Sequence, residues 1–157
     1  PVIMKLLEEK LPVDSLTVMV QKEAAVRICA APGTRACGAV SVAVQYYSQP
    51  QILFDVPRDC FFPAPNVDSA VIRLNIRKEP PVKLETEEKQ FFKLVKAAFG
   101  QRRKTVLNSL NTGLGKSKEE LSAALQQAGI APTARAEQLT MEQFGTLCNL
   151  LFPNKTK

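Results

Sequence analysis

The chain has 157 residues, 45% of them hydrophobic and 23% charged, with a formal net charge of +6 and a pI near 9.3. That is the balance of a globular chain with room for one ordinary domain or two small ones, and its basic excess suits an anionic partner such as nucleic acid or an acidic surface. There is no histidine, which excludes Ser-His and Cys-His nucleophile pairs.

Four cysteines, Cys29, Cys37, Cys60 and Cys148, form no C-x-x-C pair. No metal site is therefore expected, and they read as reduced core residues of a cytoplasmic protein. No apolar stretch reaches transmembrane length, so no membrane partner is expected either.

In chain order, Pro1 opens directly into an amphipathic helical run over residues 2–9, with proline at a favourable first-turn position. Residues 15–21 are short and β-rich and read as a strand. Residues 23–31 read as a helix stopped by Pro32-Gly33. Residues 38–48, small and apolar and ending in Tyr46-Tyr47, are long enough for a buried helix. Residues 51–56, ended by Pro57, and residues 69–77 read as two further strands. Helices and strands of these lengths make an α/β layer, although with too few strands for a complete doubly wound sheet.

Residues 79–83 make a plausible linker. Beyond it the pattern is all helical: a helix after Thr86 through Phe91, Leu94, Val95 and Ala98, a second piece over 105–110, a third from Ser117 to Gly129, and a last one from Thr140 to Leu151. Ser117/Glu120 and Thr140/Gln143 have capping-box spacing. Gly115-Lys116-Ser117 looks like the tail of a phosphate loop, but Leu110 stands where that motif needs glycine; it reads as a helix-helix loop.

Charge is unevenly placed. From Lys89 to Lys118 the chain carries eight basic residues and no acidic one, and the densest cluster is Arg102-Arg103-Lys104. A solvated helix face usually mixes both signs, whereas cations without acidic neighbours can neutralise phosphates and release counterions.

The segment Phe61-x-Pro63-x-Pro65-x-Val67-Asp68-Ser69 places an aromatic ring just before two closely spaced prolines, which hold the backbone extended. A core phenylalanine before a strand would fit these residues equally well. The motif, however, resembles the F-x-P-x-P-x-V-D-S signature of the rRNA adenine N6,N6-dimethyltransferases. Val20-Gln21-Lys22-Glu23 with Arg27, Gly38 to Val42 with Gln45-Tyr46-Tyr47, Phe99 to Thr105 with Asn108-Ser109-Leu110, and Arg135-Ala136-Glu137 resemble further segments of that family in the same order. Gln101 to Thr105 looks like the bacterial small-subunit (16S) type rather than the macrolide-resistance 23S methylases. Cys37, Ala24 and Ala25 depart from the usual residues.

The resemblance implies methylation of two adjacent adenines in small-subunit rRNA of the pre-30S ribosomal subunit, with S-adenosylmethionine as donor. It implies that Phe61, with Pro63 and Pro65 shaping the loop, faces the target adenine. Arg102, Arg103, Lys104, Lys96 and Lys116 would contact RNA phosphates. The family's glycine-rich donor loop and N-L-P-Y motif are not in the sequence. The chain is therefore expected to be a C-terminal portion: residues 1–78 the end of a Rossmann-like methyltransferase sheet, α/β in class, and residues 79–157 an all-α rRNA-binding domain. The fragment alone is expected to be inactive, and an exposed sheet edge could support self-association. The rival from another class is a non-catalytic RNA-binding or ribosome-assembly factor.

Overall fold

The structure, a computed structural model, describes residues 2–10 and 12–153. Pro1, expected to open the first helix, lies outside the described residues. The first half runs α1 (Val2–Glu8), β1 (Ser15–Gln21), α2 (Lys22–Ile28), α3 (Ala39–Tyr47), β2 (Ser48–Val56) and β3 (Ser69–Ile76), with a 3₁₀ turn at Arg58–Cys60. The second half holds α4 (Glu88–Ala98), α5 (Val106–Leu114), α6 (Lys118–Gln127) and α7 (Met141–Leu151), with a 3₁₀ turn at Ala136–Gln138.

The three described strands form one antiparallel sheet in the order β1-β3-β2. The central strand alternates, with Ala70, Ile72 and Leu74 fully buried. They pack with Leu7, Ala25, Ile28 and Val44 of the three helices that cover one face. On the opposite face Met19 and Phe54 both lie opposite Val71, and both are exposed. A register shift between Ile52 and Phe54 lets β2 bulge there. β2 begins three residues before the expected position and includes Pro50. An edge strand accepts this, because proline's missing N–H can face away from the ladder.

α2 ends at Ile28, short of the expected stop. Its C-cap residue Cys29 donates to Ala25 O, and Ala30 N to Arg27 O closes a tighter last turn. Cys37 and Cys148 are buried as expected, whereas Cys60 is exposed, because it sits in the loop after β2 rather than in an apolar element.

The helical half is built on stripes that meet in one core: Phe91, Leu94, Leu110, Leu121, Leu125, Phe144 and Leu147 are all fully buried. Both expected caps form, in different ways. Thr140 and Gln143 satisfy each other's backbone N–H reciprocally. Ser117 Oγ accepts from Glu120 N, but the Glu120 carboxylate turns outward to Lys116. Gly115 (φ 69) and Gly129 (φ 73) supply the left-handed residues that end α5 and follow α6. The Gly115-Lys116-Ser117 segment is thus the α5–α6 loop.

Cys37, Val42 and Tyr46 of the first half belong to the same core cluster as the second-half helices. Tyr46 and Tyr47 meet Phe91 and Phe92, with neighbouring ring centroids 5.2–5.5 Å apart.

Helices α4 and α5 approach closely at Gly113, where an added Cβ would stand 2.6 Å from Ala97 Cβ. Glycine within a helix costs about 1 kcal/mol relative to alanine, but overpacking a contact typically costs about 1–3 kcal/mol. The clash is with a rigid methyl group and wins. Gly113→Ala is expected to lower stability by about 1 kcal/mol despite its better helix propensity, read as a lower urea midpoint. An unchanged or raised midpoint would mean that the two helices part freely.

Candidate nucleic-acid interface

The motif singled out in the sequence forms the loop between β2 and β3, and its aspartate closes the base. Asp68 Oδ1 accepts from the Arg58 backbone N–H (2.9 Å) and from Arg58 Nε (3.1 Å). Arg58 Nη1 reaches Asn66 O at 2.8 Å. Lys22 at the start of α2 donates its N–H to Asp68 O at 2.9 Å, and its ammonium pairs with Asp55. The loop is thereby tied at both ends to the sheet and to α2. These bonds, the Arg58 backbone N–H first, hold the Asp68 carboxyl below its usual range. The group is solvated, so its ion pair with Arg58 contributes modestly.

Above this clamp the loop carries two adjacent rings. Phe61, the ring expected to face a base, is half-buried. Phe62 is completely exposed, at 102% of its reference surface, and Pro63 and Pro65 are exposed beside it. The Phe62–Pro63 bond is cis. Sequence reasoning passed over Phe62, which occupies a variable position of the motif. Its only available signal was a second aromatic next to a proline-rich turn.

The second cluster lies on the α4–α5 connection. Lys104 N donates to Gln101 O, and Ser109 Oγ of α5 donates to the same carbonyl at 3.1 Å. Thr105 Oγ1 caps α5 by accepting from Asn108 N. Val106 N donates to Ala134 O at 2.8 Å, joining this loop to the segment before Arg135. The backbone is thus fixed from below while Arg102, Arg103 and Lys104 point into solvent. None of the three forms an ion pair among the described residues.

Lys96 is exposed on the last turn of α4. Lys116 differs from the other four cations. Its ammonium is 3.5 Å from Glu120 and lies 5.3 Å from the Phe152 ring centre, so it already has partners. Burial raises the Cys37 thiol above its ordinary value, against the smaller opposing effects of a hydrogen bond with Ser41 and the positive charge of Arg102.

The strand ends carry no set of groups for S-adenosylmethionine among the described residues. β1 passes directly into α2 through Gln21 and Lys22 without a glycine turn. Asp55 and Asp68, near the other strand ends, are engaged by Lys22 and Arg58. The described residues thus do not fit a nucleoside-sulfonium cradle. Among them, no group of three or more His, Cys, Asp or Glu is placed to hold a metal ion, and no helix is long and apolar enough to cross a membrane.

A family model described as ribosomal RNA adenine dimethylase matches residues 1–152. The chain belongs to the ribosomal RNA adenine dimethylase family. It is 51% identical over 156 residues to ribosomal RNA small subunit methyltransferase A of Geobacillus thermodenitrificans (strain NG80-2), covering 98% of this chain and 53% of that protein. It is 54% identical over 152 residues to the same-named protein of Alkaliphilus oremlandii (strain OhILAs), covering 96% and 53%. The chain therefore spans about half the length of the curated relatives it matches.

Among solved structures, a dimethyladenosine transferase from Plasmodium falciparum superposes with a TM-score of 0.72 at 22% identity, over 92% of this chain and 60% of that one. The 23S rRNA methyltransferase ErmE gives 0.66 at 25% identity, over 95% and 59%. The fold is thus shared with rRNA methyltransferases. Sequence identity is far higher to the small-subunit relatives than to ErmE.

The clamp makes a pH prediction for this family member. A carboxyl whose folded pKa is depressed adds stability above the ordinary carboxylate range, and that stability is lost as pH falls through the folded value. Asp68→Asn is expected to be less stable than the parent at neutral pH and equal to it in strong acid. Urea midpoints measured from about pH 7 down to about pH 2 test this; parallel curves would show that Asp68 carries no folded-state preference.

Proposed function

We propose that this chain supplies the target-base and RNA-facing side of an rRNA adenine N6,N6-dimethyltransferase that modifies two adjacent adenines of small-subunit rRNA in the pre-30S particle, in the cytoplasm. The observation that carries the reading is the clamped β2–β3 loop, which presents aromatic rings above a fixed base, in a chain of this family. Residues 1–78 form the end of a Rossmann-like methyltransferase sheet, and residues 79–157 form the rRNA-binding domain that packs on it. S-adenosylmethionine, bound by residues outside this chain, supplies the methyl group. The open edge of β1 is available for strand pairing, either with that further part of the protein or with another copy.

An exocyclic N6 is a poor nucleophile because its lone pair is delocalised into the ring. The work left to the protein is positioning. A base must leave its stack before its amino group can be reached, and an aromatic face receives it, at about 1–3 kcal/mol per stacked base. Phe61 takes this role, with Pro63 and Pro65 holding the loop's shape. Phe61 is half-covered and therefore oriented by its neighbours, whereas the fully exposed Phe62 has no packing to fix its plane. Arg102, Arg103, Lys104 and Lys96 hold phosphates and set the register of the RNA without reading its sequence. Lys116, already partnered, contributes least.

In the full-length enzyme, Phe61→Ala is expected to cut turnover about tenfold or more, in line with the loss of one stacked base, while subunit binding stays within about twofold. Phe62→Ala is the comparison. If it, rather than Phe61→Ala, carries the loss, the exposed ring is the receiving surface. Reversing charge at Arg102 and Arg103 (R102E/R103E) is expected to weaken rRNA binding and flatten its salt dependence; an unchanged slope would remove them from the interface. Labelled methyl transfer by this chain alone to undermethylated small subunits should be undetectable, and detectable transfer would overturn the assignment of the donor site to residues outside it.

A further inference from the structure

Between α4 and α5 lies a groove of about 350 Å³, lined by Lys93, Lys96, Gln101, Thr112 and the small residues Ala97 and Gly113. That is at the low end of ordinary ligand clefts, about 300–1,000 Å³. Three features set it apart. Its lining holds two cations and no carboxylate. Three larger clefts are mixed in sign: one contains Glu85 and Glu87 beside Lys89 and Lys116, another Glu79 and Glu88 beside Lys83, and a third, beside Arg35 and Arg135, contains Glu137. Next, Lys93 and Lys96 are both exposed and form no ion pair among the described residues, whereas Lys89 one turn earlier pairs with Glu87. Finally, the groove's end at Gly100 and Gln101 leads directly into Arg102, Arg103 and Lys104.

We propose that this groove docks one unpaired nucleotide of the substrate RNA, with its phosphate held between Lys93 and Lys96. Side chains three apart on a helix lie about 5–6 Å from one another at Cβ, close enough to converge on a single phosphate. The floor at Ala97 and Gly113 is low because the helices touch there, so a sugar or base can approach the backbone. Gln101 and Thr112 supply exposed polar groups at the rim, while Ser109 Oγ is already spent on Gln101 O. A shallow groove with polar edges suits an unpaired residue, the form in which RNA offers its bases to side chains. The effect is to extend the phosphate-holding surface from the α4–α5 loop back along α4, adding Lys93, Gln101 and Thr112 to the contact set.

The inference rests on the reading above that the partner is rRNA. Its test is a salt-titrated binding assay of the full chain against small-subunit rRNA, comparing K93Q/K96Q with K5Q/K83Q. The control pair removes the same charge from exposed sites outside the basic run. The groove pair is expected to lose about tenfold or more in affinity and to reduce the log–log salt slope by about 1, the share of the single phosphate the two lysines hold, while the control pair changes the slope far less. A groove pair that behaves like the parent, or like the control pair, overturns the site while leaving rRNA binding intact. A parent chain with no salt-dependent binding fails at the earlier step and removes both. All four lysines are exposed, so unfolding is not the expected cause of any loss; matched thermal midpoints confirm that.

Discussion

The sheet half and the helical half meet in a shared core whose centre is an aromatic junction. Tyr46 and Tyr47 at the end of α3 interleave with Phe91 and Phe92 on α4, and Phe91 is fully buried there. Burying a phenylalanine is worth about 1.5–3 kcal/mol, and each well-placed ring pair adds about 0.5–1.5 kcal/mol. The polar contacts at the same place are smaller. Tyr46 OH donates to Glu88 at 2.9 Å, and the same carboxylate meets Lys10 at 3.2 Å. Lys10 is largely exposed, so its pair contributes about 0–1 kcal/mol. Burial, then the Glu88 charge, pushes the Tyr47 phenol up to about 12, and Tyr46 higher still. Both phenols therefore stay neutral at any physiological pH, which a ring packed among rings requires. Both candidate surfaces depend on this junction, because the aromatic loop belongs to the sheet and the basic loop to the helices.

Much of the helical half was legible because its signals are local. Thr140 and Gln143 reach each other within one turn, and Gly115 and Gly129 stop helices through their own φ angles. The strands were found by their β-branched content, but their order was not, because register is set by partners far away in sequence. Pro50 hid the start of β2, since a proline is compatible with a strand only if that strand is an edge, and edges are a property of the sheet. The decisive site details were tertiary in the same way. Phe61 and Phe62 are equivalent as letters, and only packing separates a half-covered ring from a bare one. Lys96 and Lys116 looked alike in an acid-free run; Glu120 and the Phe152 ring distinguish them. Lys93 carried no motif and became visible only as the neighbour of Lys96 along the α4 side of a groove.

The arrangement also explains why the motif's aspartate and its aromatic residue belong together. A ring that receives a base must be presented at a constant height, yet it must not be packed so well that the base cannot reach it. On the proposed reading, the loop meets these opposing demands by placing its order at the base rather than at the tip. Arg58, Asp68 and Lys22 fix the two ends, and the tip is left uncovered. Asp68 is held by hydrogen bonds from a neighbouring arginine rather than by burial, so the clamp costs little desolvation. The basic loop follows the same plan: Ser109 and Thr105 fix its backbone, and its three cations remain in water.

On the proposed reading, this division has a consequence for how affinity and turnover separate. Phosphate contacts in water are screened and additive, so each lysine or arginine contributes a modest, salt-dependent share of binding. A stacking ring contributes after the base has left its stack, a state the phosphate contacts do not produce by themselves. Loss of cations therefore weakens the encounter roughly in proportion to their number. Loss of the ring leaves the encounter intact and removes the step that follows it. The aromatic junction at Tyr46 and Phe91 couples the two, because it packs the half that carries the clamped loop against the half that carries the basic loop. On the proposed reading, a cavity opened at Phe91 would be felt as a change in register between bound RNA and the aromatic loop, even though none of the proposed RNA contacts had been altered.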